Sequence, residues 1–373
     1  MQRRLFVREH VLEQLMGDIW SDAPARVPRN ERPTPSQIAT TRAVVEWYLA
    51  RYHRTADDPG VAAMFLDRER VGAFAIDSEA LQRGDDSVLF RMLVATAMFQ
   101  RRQDVQILRI LRRMPAEDVA EVTDAASLLR LVDQSRCERM KSNDTLISRC
   151  NLTKHPRTRL GCCAFAPRLA CHLKRHTVVL KRYGHFGKVP TSAALALREA
   201  GVSGLGGLYR DVLRSSGSPF HRARELERRL SAIWRVSTKI ACMFLSAVTN
   251  PDLAAGRPPW EQGVDWTHFV VVDSNVDAFL ASVGYRGRGT YEARRAMVQR
   301  IARRIDLREL DGRLHSYNPR VVQQAMYLFM SATNRRALAR DCSHEGPTAC
   351  AKCPRPVRFR CVLDRTQGKP NRA

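Results

Sequence analysis

The stretch Cys342-SHEGPTA-Cys350-AK-Cys353-PRPVRFR-Cys361 places four cysteines within 20 residues, with a C-x2-C pair at its centre. Such a pair brings two thiolates into one coordination sphere. Flanking cysteines seven residues away can loop back to supply two more. Four thiolates suit zinc or an iron–sulfur cluster, and the ligands alone leave both open. Ahead of them runs Pro319-RVVQQAMYLFMSATNRRALARDC. Its Val322, Ala325, Met326, Leu328 and Phe329 share one helical face, and its end is basic.

The whole chain of 373 residues carries 62 Lys and Arg against 38 Asp and Glu, a formal charge of +24. Such an excess attracts a polyanion. A membrane is a poor candidate, because no stretch nears the ~18–20 apolar residues of a spanning helix. The best apolar run, 88–99, is interrupted by Arg91. The N-terminus reads as an amphipathic helix containing Glu9, Glu13 and Asp18, unlike the unbroken apolar stretch of a signal peptide. The protein is therefore expected in the cytoplasm, nucleoid-associated if bacterial, as a monomer. There its ten cysteines serve as free thiols or metal ligands rather than disulfides.

The pattern along the chain predicts an all-α fold. Residues 21–37 hold four prolines and read as a linker within an N-terminal helical extension, 1–85. Leu89, Met92, Leu93 and Ala97, then Val105, Leu108 and Leu111, keep helical spacing and predict two buried helices with a break near 100–104. Helical patterns resume after 190, with Gly201 as a helix stop. The sequence FVVV at 269–272 is the best strand candidate. Between 137 and 190 the chain is basic and rich in Cys and His. Cys150, Cys162, Cys163 and Cys171, near His155, His172 and His176, are candidates for a second metal, zinc by preference, against the alternative of ordinary thiols.

The final helix followed by C-x7-C-x2-C-x7-C resembles the C-terminal cluster loop of endonuclease III and its relatives, DNA glycosylases of the helix-hairpin-helix-GPD superfamily. In that family the loop holds a 4Fe–4S cluster, here on Cys342, Cys350, Cys353 and Cys361. Two more elements carry the resemblance. Residues 233–245, IWRVSTKIACMFL, match the family hairpin L-P-G-[VI]-G-x-K-T-A at Val236, Lys239 and Ala241, with Arg235 and Ser237 where it has glycines. Residues 271–284, VVDSNVDAFLASVG, match V-D-T-H-V with its helix and glycine, placing Asp273 at a helix N-cap. Asp265 is a competing carboxylate.

The resemblance implies two helical lobes flanking a cleft, a core at 86–284 with the Cys/His-rich insertion at 137–190, and C-terminal helices and cluster loop at 285–361 before a basic tail. It implies Lys239 as nucleophile and Asp273 as its carboxylate partner in breaking an N-glycosidic bond of double-stranded DNA, with AP-lyase activity through a Schiff base. Arg235 and Ser237 would then face phosphate, and Gln100, Arg101 and Gln103 would fill the gap left by a flipped base. No Glu lies between Leu89 and Gln103, which argues against the adenine-specific branch. The competing readings are a non-catalytic DNA-binding iron–sulfur protein of the same fold and a zinc-containing RNA-binding protein.

Overall fold

The structure is a computed structural model that describes residues 32–53, 61–150, 152, 171–181, 184–215, 217–253, 256–345 and 347–363. Among these residues the regular structure is all helical, without a strand. The α-helices are α1 (Pro35–Arg51), α2 (Val61–Leu66), α3 (Arg68–Val71), α4 (Ser78–Gln82), α5 (Asp86–Ala97), α6 (Asp104–Arg112), α7 (Ala116–Thr123), α8 (Ala125–Asp133), α9 (Asn143–Ser148) and α10 (His172–Val179). They continue as α11 (Lys188–Glu199), α12 (Leu205–Arg214), α13 (Pro219–Ser231), α14 (Thr238–Thr249), α15 (Ser274–Ser282), α16 (Tyr291–Ala302), α17 (Pro319–Met330), α18 (Ala332–Ala337), α19 (Pro347–Lys352) and α20 (Arg355–Arg358).

Two apolar cores divide them into two lobes. The first core gathers Phe65, Leu89, Leu93, Ile107, Leu226 and Phe244 from helices between α2 and α14, with Trp260 from the loop that follows. The second gathers Val44 and Tyr48 of α1 with Phe279, Val298, Val322 and Phe329. The N-terminal helix thus belongs with the C-terminal ones: α17 packs against both α1 and α15. This differs from an N-terminal extension spanning 1–85: of its described part, 32–53 joins the second lobe and 61–85 the first. The predicted linker 21–37 also runs too far. Thr34 and Gln37 form a reciprocal cap, with Gln37 N donating to Thr34 Oγ1 at 3.3 Å and Thr34 N to Gln37 Oε1 at 2.8 Å, so α1 starts at Pro35.

The lobes are sewn together at two places. Residues 269–272 form an irregular segment outside any strand, which corrects the strand reading of FVVV. Their side chains alternate all the same: Phe269 and Val271 enter the first core, and Val270 and Val272 enter the second. The Tyr291 hydroxyl supplies what a neighbouring strand would have given, accepting from Val272 N at 3.2 Å and donating to Val270 O at 2.9 Å. At the second seam, buried Asn250 and Asn318 exchange hydrogen bonds of 3.1 and 2.9 Å, and Asn318 also donates to Asp252 at 2.7 Å. The end of α14 is thereby tied to the start of α17.

The 137–190 segment is not a free-standing insertion where it is described. Leu146, Cys150, Leu152, Leu173 and Leu195 form a small third core that Cys137 and Cys171 join. Cys162 and Cys163 lie outside the described residues. Ser192 Oγ takes the Trp234 N–H at 2.8 Å, and Asn143 Nδ2 donates to Ala232 O at 3.1 Å, so this region buttresses the turn before α14.

Phe279 is fully buried and meets Phe329 edge to face at 6.2 Å. Phe279→Ala is expected to cost about 3–5 kcal/mol of unfolding free energy, measured by chemical denaturation.

Candidate functional site

Helices α13 and α14 pack together and are joined by the turn at 232–237. Arg235 takes φ +63°, the left-handed conformation that glycine adopts without strain. Its carbonyl is held by Gln100 Nε2 at 2.8 Å, which also donates to Ala97 O at 2.7 Å. Gln100, read from sequence as a residue entering the duplex, is therefore used to tie the end of α5 to this turn. Arg101 and Gln103 are exposed beside it. Buried Val236 anchors the turn. Ser237 occupies the N-cap position of α14, but its side chain makes no capping bond.

Lys239, in the first turn of α14, is half-buried. Asp273 caps α15 from the far end of the 269–272 seam and accepts from Asn275 N and Val276 N, each at 3.0 Å. Both side chains line one pocket between the lobes, with Phe99 and Met243 as apolar wall. Asp265 does not line it; that carboxylate caps the short turn at Trp266–His268, accepting from Thr267 N at 3.0 Å. Burial pushes the Asp273 carboxyl above the usual aspartate value, and nearby Asp104 adds to this. The Val276 N–H and Lys239 oppose it without cancelling it.

Sequence reasoning missed four other polar groups in this pocket. Arg320, Gln323 and Gln324 of α17 line its floor and are all buried. Arg320 donates to both glutamine Oε1 atoms, at 2.5 Å to Gln324, and to Ser246 Oγ at 3.1 Å. Asp104 in the first turn of α6 accepts from the Tyr327 hydroxyl and from Asn334 Nδ2 at 2.9 Å, a polar contact that crosses from one lobe to the other. The signal for the floor was present: polar side chains at i, i+3 and i+4 make one helical face.

Behind α14 sits a buried ionic cluster. Glu227 Oε2 lies 2.7 Å from His268 Nε2 and accepts from Arg295 at 2.6 Å. Burial works against the Glu227 charge, yet His268 and Arg295 hold its carboxyl below the ordinary value. Cys242, one turn after Lys239, points its thiol at the same carboxylate, and burial pushes that thiol up.

The four C-terminal cysteines line a single small cavity with Trp47, Phe329 and Arg335. Arg335 is buried, stacks over Trp47 at 4.8 Å, and donates to Cys361 Sγ at 3.2 Å, Cys342 Sγ at 3.3 Å and Asp341 at 2.8 Å. Tyr52, just past α1, reaches the same Asp341 at 2.6 Å. Among the described residues no three His, Cys, Asp or Glu side chains converge as ligands of one metal ion. No described helix is long and apolar enough to cross a membrane.

The raised Asp273 pKa fixes the sign of a stability effect. The native state binds this proton more readily than the unfolded chain, so stability falls as pH rises from the ordinary aspartate value through the raised one. Asp273→Asn keeps a good N-cap residue and removes the ionisation. It is expected to be at least as stable as wild type at pH 7, with its advantage vanishing below about pH 4, as read by thermal melts across pH. No model of a known protein family matches the chain, and neither a curated protein nor a solved structure matches it.

Proposed function

We propose that the protein is a base-excision DNA glycosylase with AP-lyase chemistry. The observation that carries this reading is the meeting of Lys239 and Asp273, from different helices, in one pocket between the lobes. The charge of +24 suits a duplex partner.

In this reading a damaged or mismatched nucleotide is flipped out of the duplex into the cleft. The Lys239 amine attacks the sugar C1′, the bond from C1′ to the base nitrogen breaks, and the departing base takes a proton from water. Asp273 stabilises positive charge on the sugar as the base leaves and takes the proton that the attacking amine sheds. Asp273 returns that proton to O4′ as the ring opens to a Schiff base between C1′ and Lys239. Loss of a C2′ proton expels the 3′ oxygen, and hydrolysis frees the lysine. The raised pKa of Asp273 suits a group that both receives and returns a proton.

Cys342, Cys350, Cys353 and Cys361 would hold a 4Fe–4S cluster. All four cysteines line one small cavity, and thiolates are the ligands such a cluster takes. The cluster would fasten the C-terminal loop to lobe two, with Arg335 offering N–H donors to two of the sulfurs. Arg235 and Ser237 in place of the hairpin glycines favour a second reading, a DNA binder of the same fold without catalysis.

Lys239→Gln separates the two. If Lys239 is the nucleophile, the variant loses strand cleavage at an abasic site by at least about 100-fold, while duplex affinity by fluorescence anisotropy changes little. Wild-type protein that binds duplex but cleaves no lesion or abasic site would support the non-catalytic reading. Cys353→Ser is expected to lower iron content and the visible absorbance of purified protein, with loss of stability in the C-terminal region.

A further inference from the structure

The pocket that holds Lys239 and Asp273 has a volume of about 60 Å³, room for only a few waters. A nucleobase is larger. The reacting sugar can reach these two side chains, but the base attached to it needs other space. A second cavity of about 310 Å³ opens alongside, and Met64 and Asp104 line both.

This second cavity has the composition of a binding site for a flat polar ring. Its walls are apolar: Val105 and Leu108 come from α6, Ala337 and Leu338 from the end of α18. Met64 adds a thioether, a favourable neighbour for an aromatic ring. Arg109 and Arg112 sit three residues apart in the last turn of α6 and both face the cavity, as do Arg70 and Glu69. Asn334 stands on the side nearest the catalytic pocket, where its Nδ2 is 2.9 Å from Asp104 Oδ2. Arginine is the donor that matches the O6 acceptor of a guanine-type ring, and a carboxylate such as Glu69 accepts from its N–H groups, the N7–H of 8-oxoguanine included. The wall shared by the two cavities is held by the hydrogen bond from Tyr327 to Asp104.

We infer that this cavity receives the extruded base, passing between Met64 and Asp104 while its C1′ stays at Lys239, and that the base is a purine of the guanine class. The inference rests on the glycosylase reading above and adds the size and edge of the substrate.

The test uses the full-length protein and four duplexes, carrying 8-oxoguanine, hypoxanthine, uracil or an abasic site. Ala337→Trp fills the cavity from an exposed wall position outside both apolar cores. Leu108→Trp fills it from the opposite wall. Wild type is expected to release 8-oxoguanine or hypoxanthine faster than uracil. Each Trp variant should slow purine release by at least about 30-fold, while β-elimination at the abasic site, which has no base to house, stays within about twofold. Retained abasic activity also shows that the variants fold. Purine release unchanged in both variants, or wild-type excision confined to uracil, would overturn the inference and leave the glycosylase reading standing. Wild-type inactivity on all four duplexes would overturn both.

Discussion

The run at 269–272 is buried on both faces and lies between two helical lobes with no strand beside it. Its alternation of side chains is what joins the lobes, because each core claims every second residue. A one-residue slip would exchange the faces and expose each lobe to the wrong side chains. The register is therefore set by packing, and Asp273 follows directly from it as the cap of α15. The position of the carboxylate in the cleft is thus determined by four apolar residues, of which Val271 alone lines the pocket.

Lys239 is placed from the other side by a different kind of force. Its helix leans on Glu227, His268 and Arg295, which are partly to largely buried and mutually hydrogen-bonded. Such a cluster contributes little net stability over an apolar equivalent, but losing one partner leaves an uncompensated charge. It therefore favours one arrangement of α13, α14 and α16 over its near neighbours. The buried Asn250–Asn318 pair then fixes the far end of α14 against lobe two. Two polar ties and one apolar seam hold Lys239 and Asp273 in a single pocket.

Much of the fold is legible in the sequence wherever local rules decide it. The break between α5 and α6, the cap at Asp273 and the left-handed stops at Gly201 and Gly284 follow from spacing and residue type. The strand reading of 269–272 fails because a run of apolar β-branched residues has the same signature in a sheet and in a seam between two cores. The membership of α1 in the C-terminal lobe depends on contacts with α17 nearly the whole chain away, which no window of sequence contains. Asp104 was invisible for the same reason, since its partner Tyr327 is 223 residues distant. Gln100 was legible as a polar residue at a helix end, yet only the fold shows its amide spent on the Arg235 carbonyl. Arg320, Gln323 and Gln324 lay on a helix read for its apolar face, so their shared polar face passed unnoticed.

The most direct test of the central claim is to trap the covalent intermediate and locate it. Wild-type protein is incubated with an abasic-site duplex in the presence of borohydride, and the adduct is digested and mapped by mass spectrometry. The account places the reduced linkage on Lys239 alone. An adduct on another lysine or on the N-terminal amine, with Lys239 unmodified, would contradict it.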